Sequence, residues 1–164
     1  MALALLPRYG GRLGDALVGL DVLRPVHLFR AISEQVRERM LEAFRWRIGD
    51  WAFIDGLRSH EETFPLGYDP FELLRDAVLR AHAAELEAAL SPMRELVLVP
   101  AKRPPVAMRS FRLPEDWVRV LRAVDGKRTF ASLLASLAME QWIDPESIYR
   151  AVHLGITCGL VQPT

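Results

Sequence analysis

Cysteine is almost absent: Cys158 stands alone among 164 residues. One thiol excludes an internal disulfide and any multi-cysteine zinc site. Its setting, Ile156-Thr157-Cys158-Gly159-Leu160, is apolar, so it reads as a small buried hydrophobe. Net charge is also missing, because 21 basic residues balance 21 acidic ones. Nothing global therefore steers the chain toward nucleic acid or anionic lipid. No apolar run reaches the roughly 20 residues of a spanning helix. The opening Met1-Ala-Leu-Ala-Leu-Leu6 is too short for a signal core and has no basic residue ahead of it. The expected setting is the cytoplasm, away from any membrane. A phosphate-cradling glycine loop is lacking as well. What remains is 51% hydrophobic and 26% charged, the balance of a globular chain with a real core, long enough for one ordinary domain or two small ones.

Residues 1–24 read as two short helical pieces broken at Gly10-Gly11, the second carrying Leu13, Leu17 and Leu20 at helical spacing. Pro25 suits the first turn of a longer helix, in which Phe29, Ile32, Val36, Met40 and Phe44 recur with the period of an amphipathic face. That period stops at Phe44. Arg45-Trp46-Arg47 and Trp51-Ala52-Phe53-Ile54 flank Ile48-Gly49-Asp50, and aromatic and β-branched residues around a short glycine turn predict a β-hairpin at about 45–54. A loop follows to Tyr68. Asp69-Pro70 opens a second long helix, as N-cap and first-turn proline, running to about Leu90 and stopped by Ser91-Pro92.

The proline-containing stretch from Leu96 to Pro105 reads as an extended linker, which places the domain boundary there. Beyond it, Pro114-Glu115-Asp116 opens a helix ending at Asp125-Gly126. Thr129 caps the next helix, and Asp144-Pro145 starts a third that Gly159 terminates before a closing strand at Leu160-Val161-Gln162.

Reaction chemistry finds little footing. His27, His60, His82 and His153 form no metal-ligand pair at helical spacing. The loop Arg58-Ser59-His60-Glu61-Glu62 gathers a hydroxyl, an imidazole and carboxylates, but sequence neighbours on a loop are not held as a catalytic triad must be. The expectation is no enzyme, no cofactor and no metal. Trp46, Trp51 and Phe53 are the residues best suited to anchoring a partner protein, since aromatics on both sides of a hairpin leave both faces apolar. Arg119, Arg122, Lys127 and Arg128 make the C-terminal part locally basic and carry a nucleic-acid alternative. That alternative is disfavoured, because the helix that would enter the major groove begins with Asp144 and Glu146 and offers only Arg150 and His153 as base contacts.

Three resemblances attach to these residues. Gln35-Val36, then Phe44-Arg45-Trp46-x-x-Gly49-x-x-x-Phe53, then Asp69-Pro70, resemble the C-terminal half of PATAN regulatory domains over roughly residues 12–90. The family's first glycine-rich strands have no counterpart here, which implies a shortened member or a sheet completed by a partner. Arg12-Leu13-Gly14-x-x-Leu17, with Leu28, Ile32 and Gln35, is similar to one 24-residue MshEN repeat. That likeness implies cyclic di-GMP held by Arg12, Gly14 and Gln35, although Asp21 stands where that family has glycine and a second repeat is lacking. The segment from Trp117 through Asp125-Gly126-Lys127-Arg128-Thr129 to Val161 resembles winged-helix units of the PqqD-like, peptide-binding kind.

The expected fold is mainly α with a small β-hairpin: a PATAN-like helical domain over 1–92, a linker over 93–110 and a winged-helix-like module over 111–164. The expected function is a non-enzymatic protein–protein interaction or adaptor module in bacterial signalling or regulation. Its partner would be another protein, such as a response regulator, or a second copy of the chain. The alternatives are a cyclic di-GMP sensor and a DNA-binding regulator.

Overall fold

A computed structural model describes residues 2–46, 48–57, 67–140 and 143–164. The chain is mainly helical with one small antiparallel sheet, and it divides into two units, Met1–Leu66 and Gly67–Thr164.

In the first unit a short 3-10 segment, Ala2–Tyr9, leads into α1 (Leu13–Gly19) and α2 (Pro25–Ala43). Pro25 occupies the first turn of α2, as its missing N–H allows. Gly14 lets the two helices approach closely: a Cβ there would fall 2.5 Å from Leu28 Cδ1. Among the described residues of this unit only Ala16 and Leu41 are buried hydrophobics. Among the described residues of 45–54, where the hairpin is expected, no strand forms. Arg45 and Trp46 donate their N–H groups to the carbonyls of Glu42 and Ala43, so the end of α2 consumes the residues needed for a first strand. Residues 48–54 take no regular secondary structure, consistent with the marginal stability of an isolated hairpin.

The second unit holds α3 (Pro70–Arg80), α4 (Ala83–Leu90), β1 (Leu98–Pro100), α5 (Glu115–Ala123), α6 (Phe130–Ala138), α7 (Pro145–Thr157) and β2 (Val161–Pro163). Asp69 caps α3 by accepting the Phe71 N–H at 2.8 Å, and Thr129 caps α6 by accepting that of Ser132 at 3.2 Å. The expected single helix over 69–90 is two. The chain is extended at Ala81 (ψ 140°) and His82 (ψ 136°), although neither glycine nor proline stands there. On one continuous helix Leu74 and Leu90 would point about 160° apart; the break re-phases them so that both reach the core, with α3 and α4 packed on α7.

The main hydrophobic cluster among the described residues lies in this unit. α5 contributes Trp117, Val120 and Leu121, one face at helical spacing, and Val124 follows at its C-cap. α6 contributes Phe130, Leu133 and Leu137, and α7 contributes Ile148, Ala151, Val152 and Leu154. α7 is the central element, touching α3, α4, α5, α6 and β2. Its Gly155 faces α5 so closely that a Cβ would meet Leu121 Cδ2 at 2.8 Å.

The segment expected to be a linker supplies β1, and the boundary falls near 66, not within 93–110. Val97 and Thr164 exchange backbone hydrogen bonds at 3.0 and 2.9 Å, and β1 pairs antiparallel with β2 in the register Leu98↔Pro163. On its other side Leu98 donates to Arg128 O and accepts from Gly126, beside the bridge Val97↔Thr129. Val97, Val99 and Ala101 thus direct their polar groups toward β2. Pro100 faces away from it and Pro163 faces away from β1, so neither missing N–H interrupts this ladder. The closing strand expected at Leu160–Gln162 is present at Val161–Pro163.

Candidate functional site

Two apolar surfaces stand out. The first is the irregular segment after α2. Trp46 is 74% exposed, Trp51 89% and Phe53 84%, and Ile48, Ile54 and Leu57 also lie mostly in solvent. Asp50 and Asp55 sit among them, and residues 48–57 contain no basic side chain. Single exposed hydrophobics need no explanation, but a run of large ones marks an interaction surface.

The second is an open groove of about 470 Å³ in the second unit. Phe71 and Leu74 of α3, Val106 and Phe111 of the long loop after β1, and Ile156 and Cys158 at the end of α7 form its walls. Phe71 meets Phe111 edge to face, with centroids 5.2 Å apart. The groove exists because α7 stops here: Gly159 turns the chain at φ +67°, and Leu160 donates to Gly155 O at 2.7 Å. Burial raises the Cys158 thiol above its ordinary pKa and lowers that of His153. Both groups are therefore neutral at pH 7, and the thiol is a poor nucleophile. The loop 101–112 carries Lys102, Arg103, Arg109 and Arg112 and no carboxylate. Arg112 pairs with Glu72 at 2.5 Å, which leaves the other three cations to solvent.

The remaining sequence candidates separate cleanly. Arg12 is turned onto Asp15 at 3.2 Å, and Gly14 is filled by Leu28. Gln35 is exposed two helical turns further along α2, about 10 Å beyond Leu28. Asp21 has φ +57°, so the backbone there takes the left-handed conformation that glycine favours, with a carboxylate attached. In the basic set, Arg119 pairs with Glu115 at 2.6 Å. Arg128 donates to Asp125 Oδ2, Ser136 Oγ and Ala123 O at 2.8, 2.9 and 2.7 Å. Two of the four cations are thus held in structural bonds, whereas Arg122 and Lys127 are exposed. The would-be reading helix, α7, is the centre of the core, its Arg150 paired with Glu146 at 2.7 Å. The cluster Arg58 to Glu62 lies outside the described residues.

Sequence reading missed the groove. Its walls come from three separated segments, one of them read as linker, and only the apolar Phe71, Val106 and Phe111 near uncompensated cations hinted at it. Among the described residues no cluster of three or more His, Cys, Asp or Glu could hold a metal ion, and no helix is long and apolar enough to cross a membrane. No protein-family model matches the chain, and no curated protein or solved structure matches it either.

Proposed function

We propose that this chain is an interaction module, an adaptor without turnover, of the kind the PATAN resemblance implies for bacterial signalling or regulation. The observation that carries this reading is the exposed run Trp46, Trp51 and Phe53. Aromatic side chains are the commonest energetic anchors of protein interfaces, because they lose much area from water at little conformational cost. Support also comes from the thinness of the first unit's core: a face of α2 bearing exposed Val26 and Met40 gains from being covered.

The test is crosslinking in extract of the native host with wild-type protein and with the W46S/W51S/F53S variant. Replacing exposed residues leaves the fold intact, as circular dichroism would verify. The expected result is a discrete crosslinked species that the variant loses. Equal products from both proteins would remove the aromatic segment from the interface and the reading with it.

A further inference from the structure

We infer that the groove between α3, the loop 101–112 and the end of α7 receives the aromatic segment 48–57 of a second copy of the chain. This rests on the interaction reading above and names the partner.

Charge selects the occupant. The groove's floor is apolar, and its flanking loop holds Lys102, Arg103 and Arg109, to which the described residues offer no carboxylate partner. The segment 48–57 is the reverse. It offers Trp51, Phe53 and Ile54 between Asp50 and Asp55, with no cation. Opposite charges flanking matched apolar surfaces set register and speed encounter. The segment has no regular secondary structure over 48–54, and Trp51 and Phe53 stand in solvent, so these side chains are free to enter a cleft.

Size agrees. A cleft of about 470 Å³ lies within the roughly 300–1,000 Å³ of pockets that enclose small ligands. Each aromatic side chain removes roughly 150–250 Å² from water. Reciprocal exchange would seat Trp51 and Phe53 of each copy, burying roughly 600–1,000 Å² through aromatic rings alone. The groove walls lose a comparable area, and ordering the segment offsets part of the gain, so the contact is a reversible interface of about 1,200–2,000 Å² in total. The expected assembly is therefore a closed two-fold dimer with a micromolar dissociation constant.

Cys158, the only thiol in the chain, lines the groove and reports its occupancy. In the full-length protein the rate of maleimide labelling at Cys158 should fall as protein concentration rises from about 1 to about 100 µM, a range centred on the micromolar constant expected. Over the same range the sedimenting mass should double. D50K/D55K and K102E/R103E should each move the midpoint of both transitions to about tenfold higher concentration, and combining them should restore it.

Labelling that is protected but independent of concentration would mean that the groove is covered within one chain, and overturns the proposal. So would a single-chain mass throughout, or charge reversals without effect. The difference in fluorescence between wild type and Trp51→Phe then separates the two readings. If the chain is a monomer with Trp51 emission at the wavelength of an indole in water, the second copy fails and the adaptor reading survives. If Trp51 emission is blue-shifted in a monomer, the segment is already covered and both readings fail.

Discussion

Gly155 tests whether the packing that shapes the groove is understood. It lies in the last turn of α7, where its missing side chain lets α5 approach. Gly155→Ala has two opposed effects. Alanine is the better helix former by about 1 kcal/mol, but its Cβ would sit 2.8 Å from Leu121 Cδ2 and 3.3 Å from Val161 Cγ2. The leucine methyl can rotate away, though into a neighbourhood where Leu121 is only 7% exposed. Val161 is β-branched, buried and held in β2, so it yields less. Overpacking of this kind costs roughly 1–3 kcal/mol, so the net is a loss of about 1 kcal/mol. For a unit of about 100 residues that lowers Tm by about 4–8 °C. The assay is thermal unfolding followed by near-UV circular dichroism, with Leu121→Ala as second partner. Leu121→Ala alone should cost about 2–5 kcal/mol by opening a cavity. In that background the Leu121 contact is gone while Val161 still presses, so Gly155→Ala should be about neutral, giving a coupling of about 1 kcal/mol. A higher Tm for Gly155→Ala alone, or strict additivity of the pair, would refute the α5–α7 packing described.

Three further outcomes follow from named contacts. Asp125 accepts the N–H groups of Lys127 and Arg128, which with the Arg128 guanidinium lower its pKa from 3.8 to about 2. A depressed carboxylate stabilises the fold above its unfolded pKa, and that contribution fades as pH falls through the folded value. The Tm difference between wild type and Asp125→Asn should therefore be full at pH 5 and above and disappear between about pH 4 and pH 2; a constant difference would contradict the bonding. Arg128→Ala removes three charged hydrogen bonds, one of them to a terminal carbonyl of α5, and should cost roughly 1–2 kcal/mol in urea unfolding, whereas Arg122→Ala should stay within about 0.5 kcal/mol. Arg112 has φ +46°, so Arg112→Val should destabilise by at least about 1 kcal/mol more than Arg112→Gly; equal stabilities would place that backbone outside the left-handed region.

Local rules were legible wherever they act alone. The caps Asp69 and Thr129, the first-turn prolines 25, 70 and 145, and the stop at Gly159 fall where the sequence predicts them. The errors arose where a non-local partner decides the outcome. Phe44 to Ile54 has the composition of a hairpin, yet the last turn of α2 captures Arg45 and Trp46 before any strand can start. Ala81-His82 contains no breaker, and the turn there lets Leu74 and Leu90 reach the same core. The exposed aromatics were identified by residue type, but the groove was invisible because Phe71, Val106 and Ile156 meet only after folding.

The misread linker also bears on how a partner is recognised. Val97-Leu98-Val99 has strand character, and the prolines that made the segment look like a spacer are tolerated because β1 and β2 place them at positions that do not bond across the pair. The same register has a cost at the outer edge of β2. There Pro163 presents no N–H, and the strand is three residues long, so an incoming peptide finds little ladder to extend. On its other side β1 is already bonded to the 126–130 segment. Strand addition, the mode a PqqD-like resemblance implies, thus has a poor template in this chain, whereas the groove at the end of α7 needs no backbone ladder. Recognition led by aromatic side chains, with charge setting the register, is the mode these two surfaces support.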